Sequence, residues 1–174
     1  MSEGRPYPFN TVYKLNNIIR YANVSRISSE NVAVHMYHVS AIVLQLFTEY
    51  DFNLEKSLVM ALSHDIPETE IDDISHATKA KNPAIAKALK DAEQELIKGY
   101  PEFMCKAIEE FELGNTIEAI IVQIADADQC SQYAWHEINN LGNTSAEMDN
   151  IYNHSVDRVK RLKDKIFKYK RAKV

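Results

Sequence analysis

The chain is poor in the residues that make tight turns, with 4 glycines and 5 prolines among 174 residues. Sandwiches, barrels and propellers need a turn between every pair of short strands, so this shortage argues against all three. It also excludes a glycine-rich phosphate loop, since neither GxGxxG nor a GxxxxGK stretch occurs. Cysteine is scarce: Cys105 and Cys130 are too few for a disulfide framework or a CxxC zinc site, and a reducing, cytoplasmic setting is expected. No apolar run reaches the length of a membrane span, and the opening MSEGRPYPFN has no signal-peptide core. Basic charge is short as well. With 20 Lys and Arg against 25 Asp and Glu, the net charge is −5, which argues against a dedicated nucleic-acid binder.

What is present fits one soluble domain spanning 1–174, with 45% hydrophobic and 26% charged residues. Its charge is unevenly distributed. From Arg158 onward there are nine basic residues and one acid; residues 1–157 hold 11 basic and 24 acidic, a net of −13.

The periodicity is helical throughout, and no two-residue alternation stands out. The expected fold is all-α, a compact bundle of six or seven helices with a core over about residues 10–157. Residues 10–20 carry Val12, Leu15, Ile18 and Ile19 as a short amphipathic stretch. Ser28 or Ser29 is a candidate cap for a helix from Asn31 to about Tyr50, with Val32, Val39, Ile42, Val43 and Leu46 on one face. Asn53 precedes the apolar LEKSLVMALSHDI. Asn82-Pro83 opens a helix that Gly99 stops, and Pro101 opens another ending near Gly114. Asn115 or Thr116 begins the most apolar helix, expected to run to Leu141-Gly142. Thr144 and Glu147 form a candidate capping box for a basic amphipathic helix over about 145–170. Its apolar positions Val156, Val159, Leu162, Ile166 and Tyr169 read as a docking stripe beneath a solvated cationic face, in preference to a nucleic-acid surface. Between Ile66 and Asn82 lies a long polar segment, expected to be irregular and a candidate functional loop.

That segment begins directly after His64-Asp65. Two polar groups following VMAL are costly in a core unless something satisfies them. A divalent metal would, although a helix end reaching solvent is the favoured reading of a lone His-Asp pair. His35 lies on an earlier helix among apolar positions. Asp126 and Asp128 interrupt the most apolar helix near the margin of its buried stripe, and spacing alone does not choose between them.

In order, His35, His64-Asp65 and Asp126 resemble the ligand set of the HD-domain metal-dependent phosphohydrolases. The resemblance is closest to the small single-domain branch of bacterial 5'-deoxynucleotidases and phage deoxynucleoside triphosphohydrolases. Arg20-Tyr21 stands where that branch has Arg and an aromatic residue, and Glu30-Asn31-Val32-Ala33 resembles its approach to the first His. Glu68, Asp73, Lys79, Ala125-Asp126, Glu137 and Gly142-Asn143 continue the match, so it runs from about residue 12 to about 160. Two positions depart. Val34 stands where the branch usually has Glu, which removes one carboxylate that could hold the imidazole. Tyr21 stands where Trp is common, which touches the base pocket.

The resemblance implies a divalent metal (Co, Mn, Zn, Mg, Ni or Fe) on His35, His64, Asp65 and Asp126, with Glu68 and Asp73 as catalytic carboxylates. It implies Arg20, Tyr21 and Lys79 as substrate contacts. The substrate class is a small 2'-deoxynucleotide, either a 5'-monophosphate or a dNTP such as dATP. A homo-oligomer is expected, with no membrane partner. Of the remaining histidines, His38 reads as packing, His76 is a weak candidate for a phosphate contact, and His136 and His154 have no partner signal. The competing reading is a non-catalytic helical accessory domain that binds nucleic acid or protein through the basic C-terminal helix.

Overall fold

The computed structural model describes residues 13–74 and 76–172. Its helices are α1 (Val32–Leu46), α2 (Leu54–Ala61), α3 (Glu68–Ile71), α4 (His76–Lys81), α5 (Pro83–Ile97), α6 (Glu102–Leu113), α7 (Ile117–Asn139) and α8 (Ala146–Ala172). No strand occurs among the described residues; a lone antiparallel bridge joins Ile19 to Asn31. The all-α expectation therefore holds.

The starts of the helices follow side-chain capping. Asn31, rather than Ser28 or Ser29, caps α1 by accepting a hydrogen bond from the Val34 backbone N–H at 2.9 Å. Asn53 caps α2 and Thr116 caps α7 in the same way. Each such cap contributes about 1 kcal/mol. Gly114 ends α6 in the left-handed region at φ 57°. A Cβ there would lie 2.7 Å from Nε2 of Gln123, whose amide donates to the Phe111 carbonyl at 2.7 Å. Glycine is needed at that corner for both reasons.

Several expectations change. The stretch expected to be amphipathic over 10–20 is mainly turn among its described residues, with Leu15 and Ile18 buried; residues 10–12 lie outside them. The loop expected over 66–82 holds two short helices, α3 and α4. α1 stops at Leu46 and α7 at Asn139, both earlier than expected. The Thr144–Glu147 capping box does not form. Ser145 caps the last helix instead, its Oγ accepting from the Met148 N–H at 3.3 Å, while Glu147 accepts from the Ser25 N–H at 3.2 Å.

α7 is the axis of the bundle, packed against α1, α2, α6 and α8. Ile120, Ile121, Val122, Ile124 and Ala125 are all essentially buried, so this helix is enclosed nearly all round. Burial of each large aliphatic side chain contributes about 1.5–3 kcal/mol. α8 lies along α7 as the docking reading expects. Ile166 is buried and Val159 and Leu162 pack against the main core; the side chain of Tyr169 lies outside the described residues. Val39, Val43, Met60 and Phe111 complete that core from α1, α2 and α6. The polar residues at the junction of α1, α2 and α7 are thereby held on a rigid frame.

Candidate metal centre

α1 begins at its Asn31 cap and turns once before presenting His35, whose side chain is fully buried. α2 ends at Ala61, and the turn that follows carries His64 and Asp65. Ser63 fixes that turn by donating to the Val59 carbonyl at 2.7 Å, and the His64 ring packs on Phe111 with centroids 4.8 Å apart. From α7, Asp126 faces the two histidines. Asp128 points away, accepting from the Gln132 side chain at 2.7 Å. The choice that periodicity left open thus falls to Asp126.

One ligand atom from each of His35, His64 and Asp126 lies within 4.8 Å of the others. Asp65 Oδ2 is 3.3 Å from Nε2 of both His35 and His64, and Asp126 Oδ1 is 3.4 Å from His35 Nε2. Three of the four expected ligands, His35, His64 and Asp126, thus form one group, and Asp65 stands beside both histidines.

The proton positions can be deduced from the partners. Gln129 Nε2 donates to Glu30 Oε1 at 2.6 Å, which turns Gln129 Oε1 toward His35 Nδ1 at 2.7 Å. An amide oxygen only accepts, so His35 Nδ1 carries the hydrogen. His64 Nδ1 lies 3.0 Å from the Ala61 carbonyl oxygen, which imposes the same tautomer. In the neutral rings both Nε2 atoms are then bare lone pairs. Both are buried without a hydrogen-bond partner and face the oxygens of Asp65 and Asp126. Four electron-rich atoms converging in a buried place need a cation between them.

The electrostatics show the same demand for positive charge, which protons on the histidines meet when no metal is bound. Burial and Arg20 oppose a charge on His35, yet Asp126 and Asp65 raise its proton affinity above the ordinary value. Burial also opposes ionisation of the two aspartates. The histidines nonetheless hold both carboxyls below their usual range, with Arg158 adding to the effect on Asp126. Imidazole nitrogens and carboxylate oxygens suit first-row divalent metals, at about 2.0–2.2 Å for zinc. Separations of 3.3–3.4 Å between neighbouring ligand atoms fit such a shell.

A cleft opens beside the centre, lined by His64, Asp65, Glu68, Lys79, Lys90 and Glu93 among others. Glu68 Oε2 is buried without a partner. Its burial, then the charges of Asp65 and Asp73, push its pKa well above the ordinary carboxyl value, against the pull of Arg20 and Lys79. Asp73 accepts from the Tyr21 backbone N–H at 3.4 Å.

Arg20 and Tyr21 are placed differently from a simple substrate grip. Arg20 is 7% exposed, donates to Asp65 Oδ2 at 3.4 Å and to Cys130 Sγ at 3.3 Å, and lies 3.7 Å from Glu30 Oε2. Tyr21 stacks on Tyr133 with centroids 5.3 Å apart. His38 is half exposed beside Glu30, 3.4 Å away, and stands outside the ligand group. His136 meets Asn140 at 2.8 Å, and the side chain of His76 lies outside the described residues.

Sequence reasoning missed two participants, Gln129 and Arg158, and gave Glu137 no role beyond its place in the family match. Gln129 orients His35; its signal was its place three residues after Asp126, on the same helix face. Arg158 donates to Asp126 Oδ2 at 2.8 Å and was concealed within a basic run. Glu137 is fully buried and accepts from the N–H groups of Ile27 and Ser28 at 2.7 and 2.6 Å, from the Ser28 hydroxyl, and from Asn143 at 2.9 Å. It ties the segment between Arg20 and Glu30 to α7.

Comparison with known proteins gives a consistent fold. The family model for the HD domain matches residues 12–168. A search of curated proteins gives no significant match. Among solved structures, an HD-domain phosphohydrolase from Listeria innocua is similar at TM-score 0.73 and 22% identity, over 90% of this chain and 80% of that one. A protein from Pyrococcus horikoshii is similar at TM-score 0.75 and 23% identity, over 87% of each chain. A predicted metal-dependent phosphohydrolase from Magnetospirillum magnetotacticum is similar at TM-score 0.54 and 19% identity, over 87% of this chain and 89% of that one.

Proposed function

Because this chain belongs to the HD-domain family, we propose that it is a metal-dependent phosphohydrolase acting on 2'-deoxynucleotides. The observation that carries the reading is the pair of buried, unpartnered Nε2 atoms of His35 and His64, facing the carboxylates of Asp65 and Asp126. Two solved structures of similar fold are named phosphohydrolases.

In this reading His35, His64, Asp65 and Asp126 hold one divalent ion. When bound, such an ion polarises the phosphoryl group and makes an attacking water more acidic at neutral pH. Glu68 stands beside it with a raised proton affinity. That suits a group that takes a proton from the nucleophile and returns one to the leaving oxygen. Asp73 shares that work or orients the sugar. Lys79 faces the same cleft and supplies a point charge for a phosphate oxygen. Arg20 acts mainly through Asp65, and Tyr21 walls the site from behind its stack with Tyr133. Deoxynucleotides are favoured as substrates by the family branch that Arg20-Tyr21, Glu68, Asp73 and Lys79 resemble.

The test is to load the purified chain with Mn²⁺ or Co²⁺, offer each dNMP and dNTP, and separate the products. Phosphate and deoxynucleoside from a monophosphate, or triphosphate and deoxynucleoside from a dNTP, supports the reading and chooses between its two forms. No turnover of any nucleotide with any metal overturns it.

A further inference from the structure

We propose that Arg158, on the last helix, is a positioning residue of the metal centre. The proposal rests on the metal-binding reading above and concerns a residue outside its expected ligand set. Arg158 Nη1 donates to Asp126 Oδ2 at 2.8 Å, while Asp126 Oδ1 is the oxygen 3.4 Å from His35 Nε2. The two carboxylate oxygens therefore have separate tasks. One is turned to the ligand cluster, and the other is tied to a helix 32 residues further along the chain. An aspartate on a straight helix can rotate about two bonds; a charge-assisted hydrogen bond to one oxygen removes that freedom.

Asp65 also has a guanidinium partner, there on the same oxygen that faces the histidines. Arg20 Nη1 lies 3.4 Å from its Oδ2, so each carboxylate of the centre has a guanidinium beside it. The two guanidiniums offset part of the negative charge around the centre, with Arg20 shared between Asp65 and Glu30. More of a divalent ion's positive charge is then left for an incoming phosphate, within a body whose first 157 residues carry −13. The guanidinium of Arg158 also repels that ion. Its side chain is 34% exposed, against 13% for Asp126, so water screens the repulsion more than it weakens the direct hydrogen bond. Orientation outweighs repulsion, and the net effect of Arg158 is tighter metal binding.

This also assigns a role to the basic helix. α8 docks on α7 through Val159, Leu162 and Ile166, and that apolar contact sets the register that brings Arg158 to Asp126. Outer partners of ligands commonly account for 10- to 100-fold in metal affinity.

The experiment is calorimetric titration of the metal-free full-length chain with Mn²⁺, comparing the unaltered protein with Arg158→Met and Arg158→Lys. Visible absorption of the Co²⁺-loaded forms reports the ligand field, and thermal melts confirm folding. Arg158→Met is expected to bind Mn²⁺ about 10- to 100-fold more weakly, with an altered Co²⁺ spectrum and an intact helical fold. Arg158→Lys keeps the charge but loses the planar fork, so it is expected to recover part of the affinity. Unchanged or tighter binding by Arg158→Met overturns the proposal. If that variant does not fold, Arg158→Lys carries the test: several-fold weaker binding supports the role, and affinity equal to the unaltered chain overturns it. Failure of the unaltered chain to bind Mn²⁺ is a different result, which overturns the metal reading and this role with it.

Discussion

His35 Nδ1 and Gln129 Oε1 meet at 2.7 Å in a fully enclosed contact, and that contact decides which nitrogen of His35 is left bare. Glu30 fixes the amide from behind at 2.6 Å. The relay supplies the orientation that a carboxylate at position 34 could not: Val34 is 41% exposed and turned away from the buried histidine. Gln129→Met should therefore weaken Mn²⁺ binding about 10- to 100-fold. It should also cost about 1–3 kcal/mol in stability by leaving a buried donor and a buried acceptor unpaired. Titration calorimetry and urea unfolding check the two effects separately. Unchanged affinity would remove the relay from the account.

Glu68 is the candidate proton-transfer group and lies outside the ligand cluster. Glu68→Gln keeps its volume and removes its basicity. Turnover should fall about 10²- to 10⁴-fold, while Mn²⁺ affinity stays close to that of the unaltered chain. Equal turnover in the two proteins would assign the role elsewhere, with Asp73 the next to be replaced.

Lys79 shares the cleft with Glu68. Lys79→Met should raise KM about tenfold or more, as expected for loss of one hydrogen bond to a charged group. Metal binding should not change. Steady-state kinetics at saturating Mn²⁺ measure this, and an unchanged KM would place Lys79 outside the phosphate contacts.

Glu137 makes a prediction about acid stability. Burial opposes its ionisation, but hydrogen bonds from Ser28, Asn143 and the backbone of Ile27 outweigh that cost and hold its pKa at about 2, against an ordinary 4.5. A carboxyl depressed on folding stabilises the folded chain above its unfolded pKa, and that contribution is lost as pH falls through 4.5 toward 2. The shift corresponds to roughly 3 kcal/mol at neutral pH. Glu137→Gln should therefore melt several degrees lower at pH 7, with the gap narrowing toward pH 2. Thermal melts across that range test it, and a gap independent of pH would contradict it.

The sequence made the helices legible where capping residues and apolar stripes coincide. Asn53 and Gly114 act as read and Thr116, of the two candidates, caps α7, because each satisfies or ends a helix through its own side chain or backbone freedom. Ser28 misled for a physical reason: its hydroxyl and N–H go to Glu137, a long-range contact that leaves Asn31 to cap α1. Asp126 and Asp128 could not be separated because α7 is buried on nearly every side and offers no clear polar face. The four proposed ligands carried a family pattern, and the fold brings them to one junction. Arg158 was not legible, because a basic residue in a run of basic residues looks solvated until the packing of α8 brings it to Asp126.

The most direct test is titration of the metal-free chain with Mn²⁺, comparing the unaltered protein with His64→Ala and Asp65→Ala, each shown to be folded by its melt. The expected result is one ion per chain for the unaltered protein and loss of that binding in both variants. No binding by the unaltered chain, or equal binding by all three, would contradict a metal centre built from His35, His64, Asp65 and Asp126.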